Sequence, residues 1–366
     1  MQKILIAILF VALLAVGGGW GYSAWKAKQP PATATAPAPA PPVSAADAAA
    51  TAAANNKKTE EAAAADAAID AADGSAVDTQ APGDAQDGTS ADKAEGVKFT
   101  YEYVPPRDPG LQAAYDFAVK IDILHRLPEV NAMDGLLMLP GPLHLITAEC
   151  KQTNAFYSPT KNELVLCYEM IEMLIKVGAS IGEQNQDDGF SARFLMANTR
   201  FIMLHEFGHA LIDMLKLPST GREEDSADQL ASSLMLMFMS PDESPGAIAE
   251  NLRLAGLFFV MNTKEQYGAA DFADEHSLGQ QRFYNLMCML YGRDPAKYLR
   301  LVTSGMLPED RAQRCPTESS RITTAWAKLL LPHIAPKYQM SGDEAQKRYD
   351  EAKRKQEENA ESPYVR

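Results

Sequence analysis

The run RFIMLHEFGHALIDML, from Arg200 to Leu215, constrains this chain more than any other segment. Its apolar residues recur at helical spacing, which predicts an α-helix. The same run carries two histidines and a glutamate at its centre, groups that a core admits only when they are partnered. On a helix, positions i and i+4 lie one above the other, so His205 and His209 can both present a ring nitrogen to one Zn²⁺ ion. Glu206 follows the first of them, where its carboxylate can hold and deprotonate a zinc-bound water as general base.

A third ligand is expected downstream, in TGREEDSAD at Thr220 to Asp228. Thr220 reads as a helix N-cap, with Glu223 completing a capping box. Glu224 and Asp228 are then one turn apart and share a face with the apolar stripe of Ala227, Leu230 and Leu234. Two carboxylates directed at a core need a cation, which makes Glu224 the third zinc ligand, with Asp225 and Glu223 as runners-up. Asp228 is placed to accept a hydrogen bond from the far nitrogen of a ligand histidine and so fix its tautomer.

The chain has 366 residues, and only part of it has the composition of a core. Residues 1–28 include an uncharged stretch, Ile4 to Trp25, long enough at ~1.5 Å per residue to cross a bilayer, with Lys3 before it and Trp20, Tyr22 and Trp25 near its end. An uncleaved signal anchor is the preferred reading, with a cleaved signal peptide as the alternative. The expected setting is a single-pass bacterial inner-membrane protein with its domain in the periplasm, or a secreted domain if cleavage occurs. Residues 29–97 are rich in Ala, Pro, Asp, Gly and Thr, with almost no large apolar side chains, and are expected to form a disordered acidic linker. Residues 98–337 make one domain, and 338–366 a charged tail. Net charge is −14, from 34 basic and 48 acidic side chains, and no basic stripe is present, which excludes a nucleic-acid partner of the usual kind. Oligomeric state is not legible.

Within the domain, helical periodicity predicts helices over Leu111–Leu124, Phe194–Leu215, Asp225–Phe238, Ala247–Phe259 and Gly279–Leu290. Strands are predicted at Leu143–Ala148 and in a hairpin of Asn154–Tyr157 with Glu163–Cys167, joined by SPTKN. The fold class is therefore α+β with helices in the majority. Cys150 and Cys167 flank that hairpin, and Cys288 and Cys315 lie at a helix and a following loop. In an exported domain they favour two disulfides; in a cytosolic one, four buried thiols.

HExxH followed by a helix bearing ExxxD resembles the gluzincin class of zinc peptidases, to which thermolysin and neprilysin belong, and implies a zincin-like domain. NAFYSPTKNELVL at Asn154 to Leu166 is similar to the substrate-binding edge strand of neprilysin, which implies that Asn154 and Ala155 hold an extended peptide by strand addition. The region 98–337 as a whole resembles a bacterial family of metallopeptidase type, through NAFY…CYE, HEFGHALID, GREED…AD, DEH…QRFYN and LP..RA.RCP. Only 14 residues separate His209 from Glu224, so the connection is shorter than in thermolysin. Gluzincins often stabilise the oxyanion with a histidine oriented by an acid in this part of the chain. Among His276, Arg282, Tyr157 and Tyr284, that resemblance selects His276, with Asp274 beside it. His125, His144 and His333 have no ligand spacing and read as structural. The implied activity is zinc-dependent hydrolysis of peptide or protein substrates, with one Zn²⁺ per chain. The rivals are a catalytically idle zinc-containing peptide-binding module and a metal-dependent amidase acting on cell-wall peptides.

Overall fold

A computed structural model of the chain describes residues 94–237, 244–261, 263–264 and 266–339, with isolated positions of the tail beyond. The anchor expected at 1–28, the linker up to residue 93 and nearly all of the charged tail lie outside the described residues. Among the described residues no helix is long and apolar enough to cross a membrane.

Four strands form one sheet: β1 (Thr100–Tyr103), β2 (His144–Ala148), β3 (Ala155–Ser158) and β4 (Glu163–Cys167), in the order β1-β2-β4-β3. β1, β2 and β4 run parallel, while β3 lies antiparallel to β4 as the edge strand. Asn162 closes the β3–β4 turn at φ 55°, a left-handed conformation that Asn tolerates. The hairpin appears where the sequence predicts it. β1 is not predicted, because four residues with burial alternating between exposed and half-buried give too little period-two signal.

The helices are α1 (Gln112–Ile121), α2 (Pro128–Met133), α3 (Tyr168–Asn185), α4 (Phe190–Met214), α5 (Glu223–Met237), α6 (Pro245–Met261), α7 (Ala269–Ala273), α8 (Gly279–Arg293), α9 (Arg300–Thr303), α10 (Glu309–Ala312) and α11 (Cys315–Leu330). α4 is the axis of the domain. It is buried nearly all round, through Phe194, Phe201, Leu204, Phe207 and Leu211 among others, and packs against α3, α5, α6 and the edge strand. A helix apolar on every side can be stable only there. It ends where Lys216 turns left-handed at φ 51° and the Leu217 N–H reaches back to the Ile212 carbonyl at 2.9 Å, a Schellman closure. Along α4, Arg200 is buried against the fully buried Glu129 of α2, so the one charge neutralises the other inside the core.

Both cysteine pairs are disulfides, Cys150–Cys167 joining the ends of β2 and β4, and Cys288–Cys315 tying α8 to the start of α11. The mostly helical α+β class holds. The first predicted helix is broken, however: Asp122 adopts a left-handed conformation (φ 52°) and Ile123–Arg126 continue as a 3₁₀ turn.

Candidate metal centre

α4 and α5 cross at Gly208. A Cβ added there would sit 2.9 Å from the Cα of Ala227, so only glycine permits this approach. The close crossing brings the residues on either side of it together. His205 Nε2 lies 3.2 Å from His209 Nε2 and 3.0 Å from Glu224 Oε2, and His209 Nε2 lies 3.4 Å from Glu224 Oε1. The far nitrogens are both engaged: His205 Nδ1 meets Asp228 Oδ1 at 2.8 Å, and His209 Nδ1 meets Glu223 Oε1 at 2.8 Å.

These partners decide the chemistry of the cluster. A carboxylate can only accept, so each Nδ1 carries the donated proton and each Nε2 of a neutral ring presents a lone pair. Two lone pairs and a carboxylate then face one another at van der Waals distance or less. Glu224 Oε2 is buried, with the His205 and His276 ring nitrogens 3.0 Å and 2.8 Å from it. Such an acceptor set is satisfied by a cation, and two imidazoles with a carboxylate are ligands typical of zinc.

The electrostatics agree. Burial pulls the His205 ring down, but hydrogen bonds to Asp228 and Glu224 outweigh it and push its pKa up to about 10. Burial opposes the Glu224 charge, yet contacts with His205, His209 and His276 hold its carboxyl well below the usual range. The cluster calls for positive charge, which protons supply when no cation is bound. Glu206 differs from its neighbours. Burial raises its pKa, the direction that strengthens a carboxylate as a base. One of its oxygens accepts the Tyr157 N–H at 3.0 Å.

That bond ties Glu206 to the outer edge of β3. The Asn154 carbonyl accepts from Cys167 N, so in the antiparallel alternation the peptide groups of Asn154, Phe156 and Ser158 face β4. Those of Ala155 and Tyr157 face away from the sheet. Asn154 and Ala155 thus stand at the start of an edge strand whose outer side passes the metal cluster.

His276 joins the cluster from a different direction, on the segment between α7 and α8. Its Nε2 is 2.8 Å from Glu224 Oε2, its Nδ1 is 3.2 Å from Asp274 Oδ1, and its ring stacks on His205. Its hydrogen bond to Glu224 outweighs partial burial and raises its pKa.

The other candidates are placed elsewhere. Asp225 accepts the Ser277 hydroxyl at 2.6 Å, and Glu223 is the partner of His209, so neither stands among the converging ligand atoms. Thr220 does not cap α5. The helix starts at Glu223 with Arg222 as its first carbonyl acceptor, and the Glu223 carboxylate meets His209. The Tyr157 hydroxyl binds Asp213 and Asn162, and Tyr284 lines a separate cavity with Gln281 and Arg311. Arg282 is spent on Asp228, which it holds with two 2.7 Å bonds while stacking 3.9 Å above the Phe259 ring. This guanidinium support for Asp228 is not predicted by the sequence, which assigns Asp228 to a ligand histidine alone and weighs Arg282 only as an oxyanion donor. His125 pairs with Asp122, His144 with Thr100, and His333 lies in a 3₁₀ turn, all outside the cluster.

No curated protein and no solved structure matches the chain. Over residues 103–330 it matches the family described as "Putative metallopeptidase", a span that runs from the end of β1 to the end of α11 and contains every residue of the cluster. The match covers more than half of the sequence, and the protein belongs to that metallopeptidase family.

Proposed function

We propose that this protein hydrolyses peptide bonds with a zinc ion held by His205, His209 and Glu224. The observation that carries the reading is the convergence of the Nε2 atoms of His205, His209 and His276 on the half-buried Glu224 carboxylate, with Glu206 fixed beside them by the Tyr157 N–H of the edge strand β3. When bound, the cation supplies Lewis acidity where these atoms meet, which polarises a carbonyl and favours loss of a proton from water. Glu206 takes that proton and passes it to the leaving amine. The extended substrate adds as a strand to the outer side of β3, aligned by main-chain hydrogen bonds at Ala155 and held by the Asn154 side chain. His276, oriented by Asp274, donates to the oxyanion that develops at the scissile carbonyl. Asp228 and Glu223 hold the ligand rings in the tautomer that presents Nε2.

An N-terminal anchor and acidic linker would carry the domain outside the cytoplasm of a bacterial cell, and the two disulfides are in keeping with an oxidising compartment. The deciding experiment measures zinc per chain and peptide hydrolysis together. The native chain is expected to bind about one zinc, to lose hydrolysis on chelation and to regain it with zinc. Glu206→Gln is expected to keep the metal and to lose turnover; hydrolysis by Glu206→Gln at the native rate would exclude this mechanism.

A further inference from the structure

A cavity of about 570 Å³ opens beside the metal cluster, within the size range of small-ligand and short-peptide sites. His209, Glu223 and Glu224 form one wall, and Phe272, Asp274 and Glu275 the other. This lining is acidic, yet most of its carboxylates are already engaged. Glu223 holds His209, Glu224 meets three histidines and Asp274 holds His276.

One cation lines the same cavity. Arg222 is exposed, and its side chain makes no hydrogen bond or ion pair with any described residue. Its main chain, in contrast, is fixed: the Arg222 carbonyl accepts the Ser226 N–H and hydroxyl, both at 3.2 Å, at the start of α5. A permanently charged fork with five donors is therefore carried on a rigid helix start, two residues before Glu224. In a cleft of mostly acidic lining, this guanidinium is the one lining side chain of permanent positive charge that an anionic group of a substrate can meet.

We infer that Arg222 is a specificity residue that anchors a substrate carboxylate next to the scissile bond, so that the site selects peptides carrying such a group at a fixed distance from the metal. The carboxylate has two sources, the C-terminus of a short peptide or an Asp or Glu side chain within a longer one. This inference rests on the cleft being a peptide site, as proposed above.

The test uses the full-length, zinc-loaded chain carrying Glu206→Gln, so that bound peptide is not consumed. Binding is measured for one short apolar peptide in four forms: free acid, C-terminal amide, amide with a central Glu, and amide with a central Gln. The expected result is binding about 10- to 100-fold tighter for the free acid than for its amide, or for the Glu form than for the Gln form, as charge-assisted bonds to arginine provide. The pair that differs identifies the source. Adding Arg222→Gln is expected to remove the difference with zinc content unchanged, and Arg222→Lys to restore part of it. Equal affinities for all four forms, a preference that survives Arg222→Gln, or binding of none of them overturns the inference. Turnover by the chain with Glu206 intact separates the two readings. Cleavage with no carboxylate preference leaves peptide hydrolysis standing and removes the role of Arg222; a carboxylate preference without cleavage does the reverse.

Discussion

The metal cluster is assembled from two unlike regions. His205, His209 and Glu224 come from α4 and α5, two helices whose crossing is set by core packing, and His205 is only 5% exposed. His276 comes from the irregular segment between α7 and α8, and its side chain is 37% exposed. The buried half has its polar atoms answered by residues distant in sequence, Asp228 and, behind it, Arg282. The exposed half is answered by a neighbour two residues away, Asp274. On the function proposed above, the ligands, which must hold a fixed geometry, sit on rigid elements, and the group proposed to meet the substrate sits on an irregular segment.

The comparison breaks most severely at Asp228. Its removal frees the His205 ring and leaves the Arg282 guanidinium without its carboxylate. Asp228→Ala is expected to weaken zinc binding roughly 10- to 100-fold and to cost about 3–5 kcal/mol of stability. Zinc titration and denaturant unfolding of the same preparation check both. Native zinc affinity in Asp228→Ala would mean that the buried half does not depend on its outer partners.

A smaller break is expected at Gly208. Exchange to alanine gains up to about 1 kcal/mol of helix propensity, but the added methyl meets Ala227 Cα at 2.9 Å and Cβ at 3.1 Å. Overlap of that kind costs roughly 1–3 kcal/mol if the helices part to relieve it. Gly208→Ala should therefore lose zinc affinity by more than it loses stability, since the separation acts directly on the distance between the His205–His209 pair and Glu224. A variant that unfolds earlier yet binds zinc as the native chain does would show that the crossing is not what sets the site.

These two positions also mark how far the sequence could be read. The histidine spacing on α4 and the choice of Glu224 follow from periodicity and from the cost of burying charge, both local properties. The hairpin and the α+β class follow from periodicity too, while the expectation of two disulfides rests on an even cysteine count and an exported setting, with four buried thiols as the alternative. The reason for Gly208 is a contact with Ala227 on another helix, and no local pattern contains it. The same holds for α3, where Gly178 and Gly182 weaken the helical signal; the structure shows that Gly178 faces Ser191 of α4, whose Cα a Cβ would meet at 2.9 Å. α11 is hidden differently. Its Ser and Thr are poor helix formers, but Ser319 and Thr323 are buried with their hydroxyls bonded to the carbonyls of Met289 and Ser319, so packing overrides propensity. Arg282 was legible as a charged residue near the site, but its partner could be known only once α8 lay across α5.

The smallest effect is expected where the exposed half is touched at its own support. Asp274 holds His276 through both the ring and the backbone N–H. Asp274→Asn retains an acceptor of the same shape but removes the charge. Zinc affinity and stability are expected to stay at native values, because His205, His209 and Glu224 keep their own partners. Turnover is expected to fall by roughly tenfold or less, well short of the 10²–10³ typical when an oxyanion donor is removed outright, as in His276→Gln. The ratio of the two variants is the informative quantity. Equal losses would make Asp274 essential to the action of His276, whereas loss of zinc from either variant would move His276 from the substrate side of the cluster to the metal side.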